Sequence, residues 1–213
     1  MTGIVAAFDF DGTVTRRDTL VPFLRGMAPS SRLLRGARRS LAAVGERHAD
    51  RRRDLVKATM VRAVFEGRDV EEVAAAARSY ALTLPNGFRA DTLERVAWHR
   101  DQDHRLVLVS ASLAMYARPA VEALGFSDVL AVELETCDGS FTGAMTGPNV
   151  RGPEKALGLR ALLGDRIDEL WAYGNSTGDD AMLAMADHAI MVRRGRLVDL
   201  TSPRRNVRFD RPD

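Results

Sequence analysis

The chain has 213 residues, 46% of them hydrophobic and 28% charged, the make-up of a folded domain with one ordinary core and room for a modest insertion. No apolar run comes near the roughly 18 residues that a bilayer span needs, which excludes stable membrane insertion, and a single cysteine, Cys137, excludes an internal disulfide. The first residues lack the basic start and apolar stretch of a secretory signal, so the expected compartment is the cytoplasm.

The first element is an apolar run, Ile4-Val5-Ala6-Ala7-Phe8, leading into Asp9-Phe10-Asp11-Gly12-Thr13-Val14-Thr15. A short apolar run closed by carboxylates and a Gly-Thr turn reads as a buried strand whose C-terminal end opens a polar site. Carboxylates two apart on a strand face the same side. Asp9 and Asp11 would therefore crowd one small volume, and like charges held that close demand a cation or a shared proton.

Residues 16–84 read as a small helical bundle. Asp18 and Thr19 are N-cap candidates for a short helix through Leu20, Phe23 and Leu24, and a second helix carries Leu33, Leu34, Ala37 and Leu41 to an end near Gly45. A third sets Leu55, Val56, Met60, Val64 and Phe65 at helical spacing, and a fourth runs from a cap at Asp69 to Leu82. The net charge is only +2, yet between Arg32 and Arg62 ten basic residues stand against three acidic ones. Such a stretch draws an anionic partner or forms a solvated face. Of the 31 basic residues only Lys57 and Lys155 are lysine, which points to sites that want a compact point charge rather than a planar fork.

Pro85-Asn86-Gly87 marks a boundary, after which helix and strand alternate. The expected order is a helix over 88–100, a strand over 105–109 ending in Ser110-Ala111-Ser112, a helix from Met115 and a strand over 129–132. A hairpin then turns at Asp138-Gly139, and a helix follows, headed by Pro153-Glu154-Lys155. A strand over 169–173 ends in Gly174-Asn175-Ser176-Thr177-Gly178-Asp179-Asp180, before a last helix through Met182 and a strand over 189–192. From Asp199 onward an extended or poorly ordered tail is expected. This alternation predicts a parallel sheet with its site where the strands end. Three such ends carry polar groups: Asp9 with Asp11, Ser110, and the 175–180 loop.

Asp9-Phe10-Asp11-Gly12-Thr13, Ser110, Lys155 and the 174–179 loop match, in order, the four motifs of the haloacid-dehalogenase superfamily, which the chain resembles. Val109-Ser110-Ala111-Ser112, the segment 138–143 and Asn149-Val150-Arg151-Gly152 resemble the branch that contains phosphoserine phosphatase. The resemblance implies an α/β, Rossmann-like three-layer parallel sheet formed by residues 1–15 and 85–213. It also implies a helical-bundle cap, 16–84, inserted after the first strand and governing substrate choice. An Asp at position 11 implies a phosphatase or mutase. Two departures stand out: Asp18 lies where phosphoserine phosphatases carry a longer Glu for the substrate amine, and Asn175 lies where relatives carry a metal-binding Asp.

Phosphoryl transfer needs a nucleophile, an acid for the leaving oxygen and positive charge around the phosphoryl group. Asp9 is the expected nucleophile and Asp11 the acid and base. Ser110 and Lys155 are the expected phosphoryl contacts, joined by Ala111, with Asp18 toward the leaving group. Magnesium is expected among Asp9, the main-chain carbonyl of Asp11, Asn175 and Asp179, with Asp180 as the rival to Asp179. The substrate expected is a small phosphorylated metabolite and not a nucleic acid. A lipid phosphate at a bilayer surface, or a noncatalytic phosphate or nucleic-acid binder, are the alternative readings.

Overall fold

The computed structural model describes residues 3–28, 31, 32, 34, 36, 38, 48–164 and 167–201. Its strands are β1 (Ile4–Phe8), β2 (Arg105–Leu113), β3 (Asp128–Val132), β4 (Leu134–Cys137), β5 (Ser140–Met145), β6 (Glu169–Gly174), β7 (His188–Arg193) and β8 (Arg196–Asp199). Its α-helices are α1 (Leu20–Met27), α2 (Ala49–Phe65), α3 (Val70–Ala81), α4 (Ala90–Asp101), α5 (Ala114–Val121), α6 (Pro153–Leu163) and α7 (Asp180–Leu183).

Strand β1 is central because its side chains are apolar on both faces. Val5 and Ala7 join Val107, Val109, Leu159, Leu170 and Met182 in one core. Ala6 and Phe8 join Leu106, Leu108, Tyr173 and Ile190 in the other. Burial on both faces is what a parallel sheet between two helical layers requires. The order is β3-β2-β1-β6-β7-β8, and Phe8 pairs in parallel with Leu108 on one side and Tyr173 on the other. That register carries the chain from β1, β2 and β6 to the same edge of the sheet, so Asp9, Ser110 and Asn175 emerge side by side.

The insertion after β1 has an aromatic core that continues into the α/β layer: Phe23 lies 5.1 Å from Tyr80 and 4.8 Å from Tyr116 of α5. Its two ends meet at a bridge between Thr15 and Phe88, with Arg16 N donating to Gly87 O and Arg89 N to Val14 O. The β4–β5 hairpin holds the far side. Gly67 N donates to Phe141 O, Phe141 N to Arg68 O and Val70 N to Gly139 O.

Two expectations are corrected. Strand β2 does not stop before Ser110 but runs to Leu113, with a register shift between Val109 and Leu113. The sheet also gains an antiparallel edge strand, β8, paired with β7, where Asp199 was expected to begin a tail; Arg194 and Gly195, both at positive φ, make the turn. The expected tail beyond residue 201, and most of the helix through Leu33, Ala37 and Leu41, lie outside the described residues. Among the described residues no helix is long and apolar enough to cross a membrane.

Candidate active site

Asp9 follows β1 directly, its N–H still in the ladder to Tyr173 O at 2.9 Å. The chain then turns at Gly12, whose φ of +84° suits glycine. A Cβ there would fall 1.8 Å from the Asn175 Nδ2, so the turn and the loop after β6 pack backbone to side chain. The turn brings Thr13 round to donate to Asp9 Oδ2 at 3.0 Å.

Lys155 enters from the first turn of α6. Its Nζ lies 2.5 Å from Asp9 Oδ1 and 2.7 Å from Asp179 Oδ1, with all three side chains under a tenth exposed. The second Asp179 oxygen accepts from Asn175 N, Ser176 N and Ser176 Oγ at 2.9, 3.0 and 3.2 Å. Asp179 thus closes its own loop and braces the lysine, whereas Asp180 is exposed. Burial pushes the Asp9 carboxyl up to about 7 against the pull of Lys155, with Asp179 and Asp11 adding to the rise. Lys155 is itself held above its ordinary value: burial works against its charge, and the attraction of Asp9 and Asp179 outweighs it.

Asp11 is held apart from this trio. Thr19 donates to its Oδ1 through both N at 2.8 Å and Oγ1 at 2.7 Å, and Ser112 Oγ donates to its Oδ2. Burial nonetheless raises the Asp11 carboxyl, because desolvation exceeds the lowering by these three bonds. Ser110 is fully buried and its hydroxyl accepts from Ser112 N at 2.9 Å. The Ala111 carbonyl accepts from Lys57 Nζ. Asp18 is not drawn into the buried cluster; it is exposed and caps α1 by accepting from Val21 N at 2.9 Å.

Asp9 and Asp179 thus share the one ammonium of Lys155, with Asp11 a third carboxylate beside them, a surplus of negative charge that fits a hard cation. Among the described residues no three His, Cys, Asp or Glu side chains converge as a ready metal cluster. A donor set here would combine carboxylate oxygens with the Asp11 peptide oxygen and the Asn175 amide. Thr13, Thr19, Ser112, Lys57 and Asn149 also serve the site. Thr13, Ser112 and Asn149 stand in the motif stretches, Thr19 at a candidate helix start, and Lys57 in the scarcity of lysine, but their contacts here are visible only in the fold.

A buried carboxylate at the end of β1, a second carboxylate two residues on and a lysine paired with the first gather at the carboxyl edge of a doubly wound sheet, where such folds place their ligand sites. The chain belongs to the haloacid dehalogenase-like hydrolase family, whose model matches residues 6–184. It is 33% identical over 186 residues to Protein CicA of Caulobacter vibrioides, covering 86% of this chain and 83% of that one. It is 28% identical over 203 residues to Phosphoserine phosphatase SerB1 of Mycobacterium tuberculosis, covering 88% of this chain and 64% of the relative. A substrate-bound phosphoserine phosphatase has the same fold, with a TM-score of 0.61 at 17% identity over 90% of this chain and 85% of that one.

Proposed function

We propose that the protein is a magnesium-dependent phosphatase of a small phosphomonoester, working through an aspartyl-phosphate on Asp9. The observation that carries this reading is the Asp9–Lys155–Asp179 chain of contacts, with Asp11 held separately beside it. A base or a nucleophile alone would not need that division. Residues 16–84 act as the cap over the site, and the phosphatase name of the SerB1 relative agrees with the chemistry.

In the first half-reaction an Asp9 carboxylate oxygen attacks phosphorus, and the ester oxygen leaves with the proton of Asp11. The raised Asp11 keeps that proton available to a higher pH than an exposed carboxyl would. In the second half-reaction Asp11 takes a proton from water, which attacks the acyl phosphate, frees inorganic phosphate and restores the Asp9 carboxylate. Lys155 holds Asp9 in place, and Asp179 holds Lys155. Magnesium, held by Asp9, the Asp11 carbonyl, Asn175 and Asp179, would supply positive charge to the phosphoryl oxygens.

The test is phosphate release from a panel of phosphorylated metabolites and nitrophenyl phosphate, with magnesium and with chelator. Release that requires magnesium and prefers particular small esters supports the reading. Binding of phosphate with no release from any ester, or release that continues undiminished in chelator, contradicts it.

A further inference from the structure

Lys57 is one of two lysines in the chain, and the reaction outlined above does not use it. It projects from α2 across to the sheet, where its Nζ donates to the Ala111 carbonyl and, at 2.6 Å, to Asn149 Oδ1. Asn149 is itself buried, and its amide donates to Asp54 Oδ1 at 2.6 Å, one turn before Lys57 on the same helix. The contact is therefore built from both sides: Asp54 orients the amide, and the amide presents its oxygen to the lysine. Burial lowers the Lys57 ammonium to about 8, with Asp54, Asp11 and Asp18 opposing the fall.

The Ala111–Ser112 peptide is consequently gripped at both ends. Its carbonyl accepts from Lys57 Nζ and its N–H donates to Ser110 Oγ at 2.9 Å. This same peptide carries the Ser112 hydroxyl that donates to Asp11. The second arm on Asp11, Thr19, immediately precedes α1. Both arms thus depend on the insertion, one directly and one through Lys57.

We propose that Lys57 is a positioning residue for the acid step: by clamping the Ala111–Ser112 peptide it sets Ser112 against Asp11 and ties the orientation of the acid to the seating of the insertion. This assignment rests on the reading of Asp11 as the acid for a phosphomonoester. A residue that positions an acid matters most where the leaving oxygen needs a proton most. An alkyl phosphate needs that proton, whereas a nitrophenyl phosphate leaves with little help.

The test compares Lys57→Met, which keeps the chain length and removes the donors, with wild type on both esters at saturating magnesium, reading kcat/KM, which reports the phosphoryl-transfer half-reaction and not the water step that both esters share. The expected kcat/KM loss on the alkyl phosphate exceeds that on nitrophenyl phosphate by about tenfold, while inhibition by inorganic phosphate changes little. Ser112→Ala should show the same asymmetry, and the double variant should lose no more than the worse single one. Equal losses on both esters, or losses that multiply in the double variant, overturn the proposal. Amide exchange decides the clamp independently of turnover. In Lys57→Met the 110–113 segment should exchange at least about tenfold faster than in wild type while β1 is unchanged. Unchanged protection of that segment overturns the clamp even in a chain that proves to release no phosphate, an outcome that would separately defeat the phosphatase reading.

Discussion

The Nζ of Lys155 lies 2.5 Å from Oδ1 of Asp9 across 146 residues of sequence, with both side chains buried. A buried ion pair is weak evidence for stability, but breaking one side of it is costly because the remaining charge is left unpaired. Here Asp9 and Asp179 would both be stranded. Lys155→Met is expected to lower unfolding free energy by about 3–5 kcal/mol at neutral pH, read from denaturant midpoints. Adding Asp179→Asn should recover part of the loss by removing one stranded charge. A single variant as stable as wild type would show that the carboxylates find other partners or take up protons at little cost.

Asp179 and Asp180 are adjacent but opposite in role. The first is 1% exposed and bonded through both oxygens, whereas the second faces solvent. Asp179→Asn is expected to abolish nearly all magnesium-dependent phosphate release, and Asp180→Asn to stay within about 0.5 kcal/mol of wild-type stability with activity near wild type. A crippled Asp180→Asn beside a tolerated Asp179→Asn would mean that the loop turns its other carboxylate inward.

Gly12 faces two independent obstacles to substitution, its φ of +84° and the Asn175 amide at 1.8 Å from any Cβ. Gly12→Ala should destabilise the protein by more than about 1 kcal/mol and also weaken the magnesium response, because relief of the clash displaces Asn175. Intact magnesium titrations in this variant would separate Asn175 from the metal.

A pH effect follows from His99, fully buried beneath the site with Nε2 2.9 Å from the Tyr173 hydroxyl and Nδ1 2.8 Å from His104 Nδ1. Burial, reinforced by Arg95, drops its pKa from an ordinary 6.5 to about 2. Between those values the unfolded chain binds a proton that the folded chain does not, so stability rises with pH across the window and falls on acidification below 6.5. From pH 7 to pH 5 this one group should cost about 2 kcal/mol, measurable as a shift in urea midpoint. His99→Asn should flatten that dependence. An equally steep dependence in the variant would place its origin in other groups.

The parts of this site that were legible in the sequence are those announced by local pattern. An apolar strand ending in Asp9-Phe10-Asp11-Gly12-Thr13, a lone lysine behind a helix-starting proline, and a Gly-Asn-Ser-Thr-Gly-Asp loop each declare themselves within a few residues. The bonds that set Asp11 do not. Ser112 is 101 residues from Asp11, and Lys57 is 54 from Ala111 and 92 from Asn149; only the packing of the insertion on the sheet brings them together. Ser110 was misread as a strand end because small polar residues usually close strands, whereas here its hydroxyl satisfies the next-but-one N–H and the strand continues. Strand β8 is four residues long, with no apolar alternation to mark it, and only pairing with β7 defines it. Asp18, a cap candidate from its place before an apolar helix, does accept from Val21 N at the head of α1.

Asp9 is proposed to carry the phosphoryl group. A single turnover with phosphoryl-labelled substrate, quenched in acid and followed by digestion and mass spectrometry, is the direct test. Hydrolysis of an acyl phosphate by attack at phosphorus sends solvent oxygen to inorganic phosphate, so the covalent species must be trapped before water reaches it. Rapid acid quench with labelled substrate is therefore paired with the Asp9→Asn variant. Label is expected on the peptide containing Asp9 in wild type, and in the variant neither label nor turnover despite an unchanged fold. Turnover by Asp9→Asn at the wild-type rate, or label on a different residue, would contradict it.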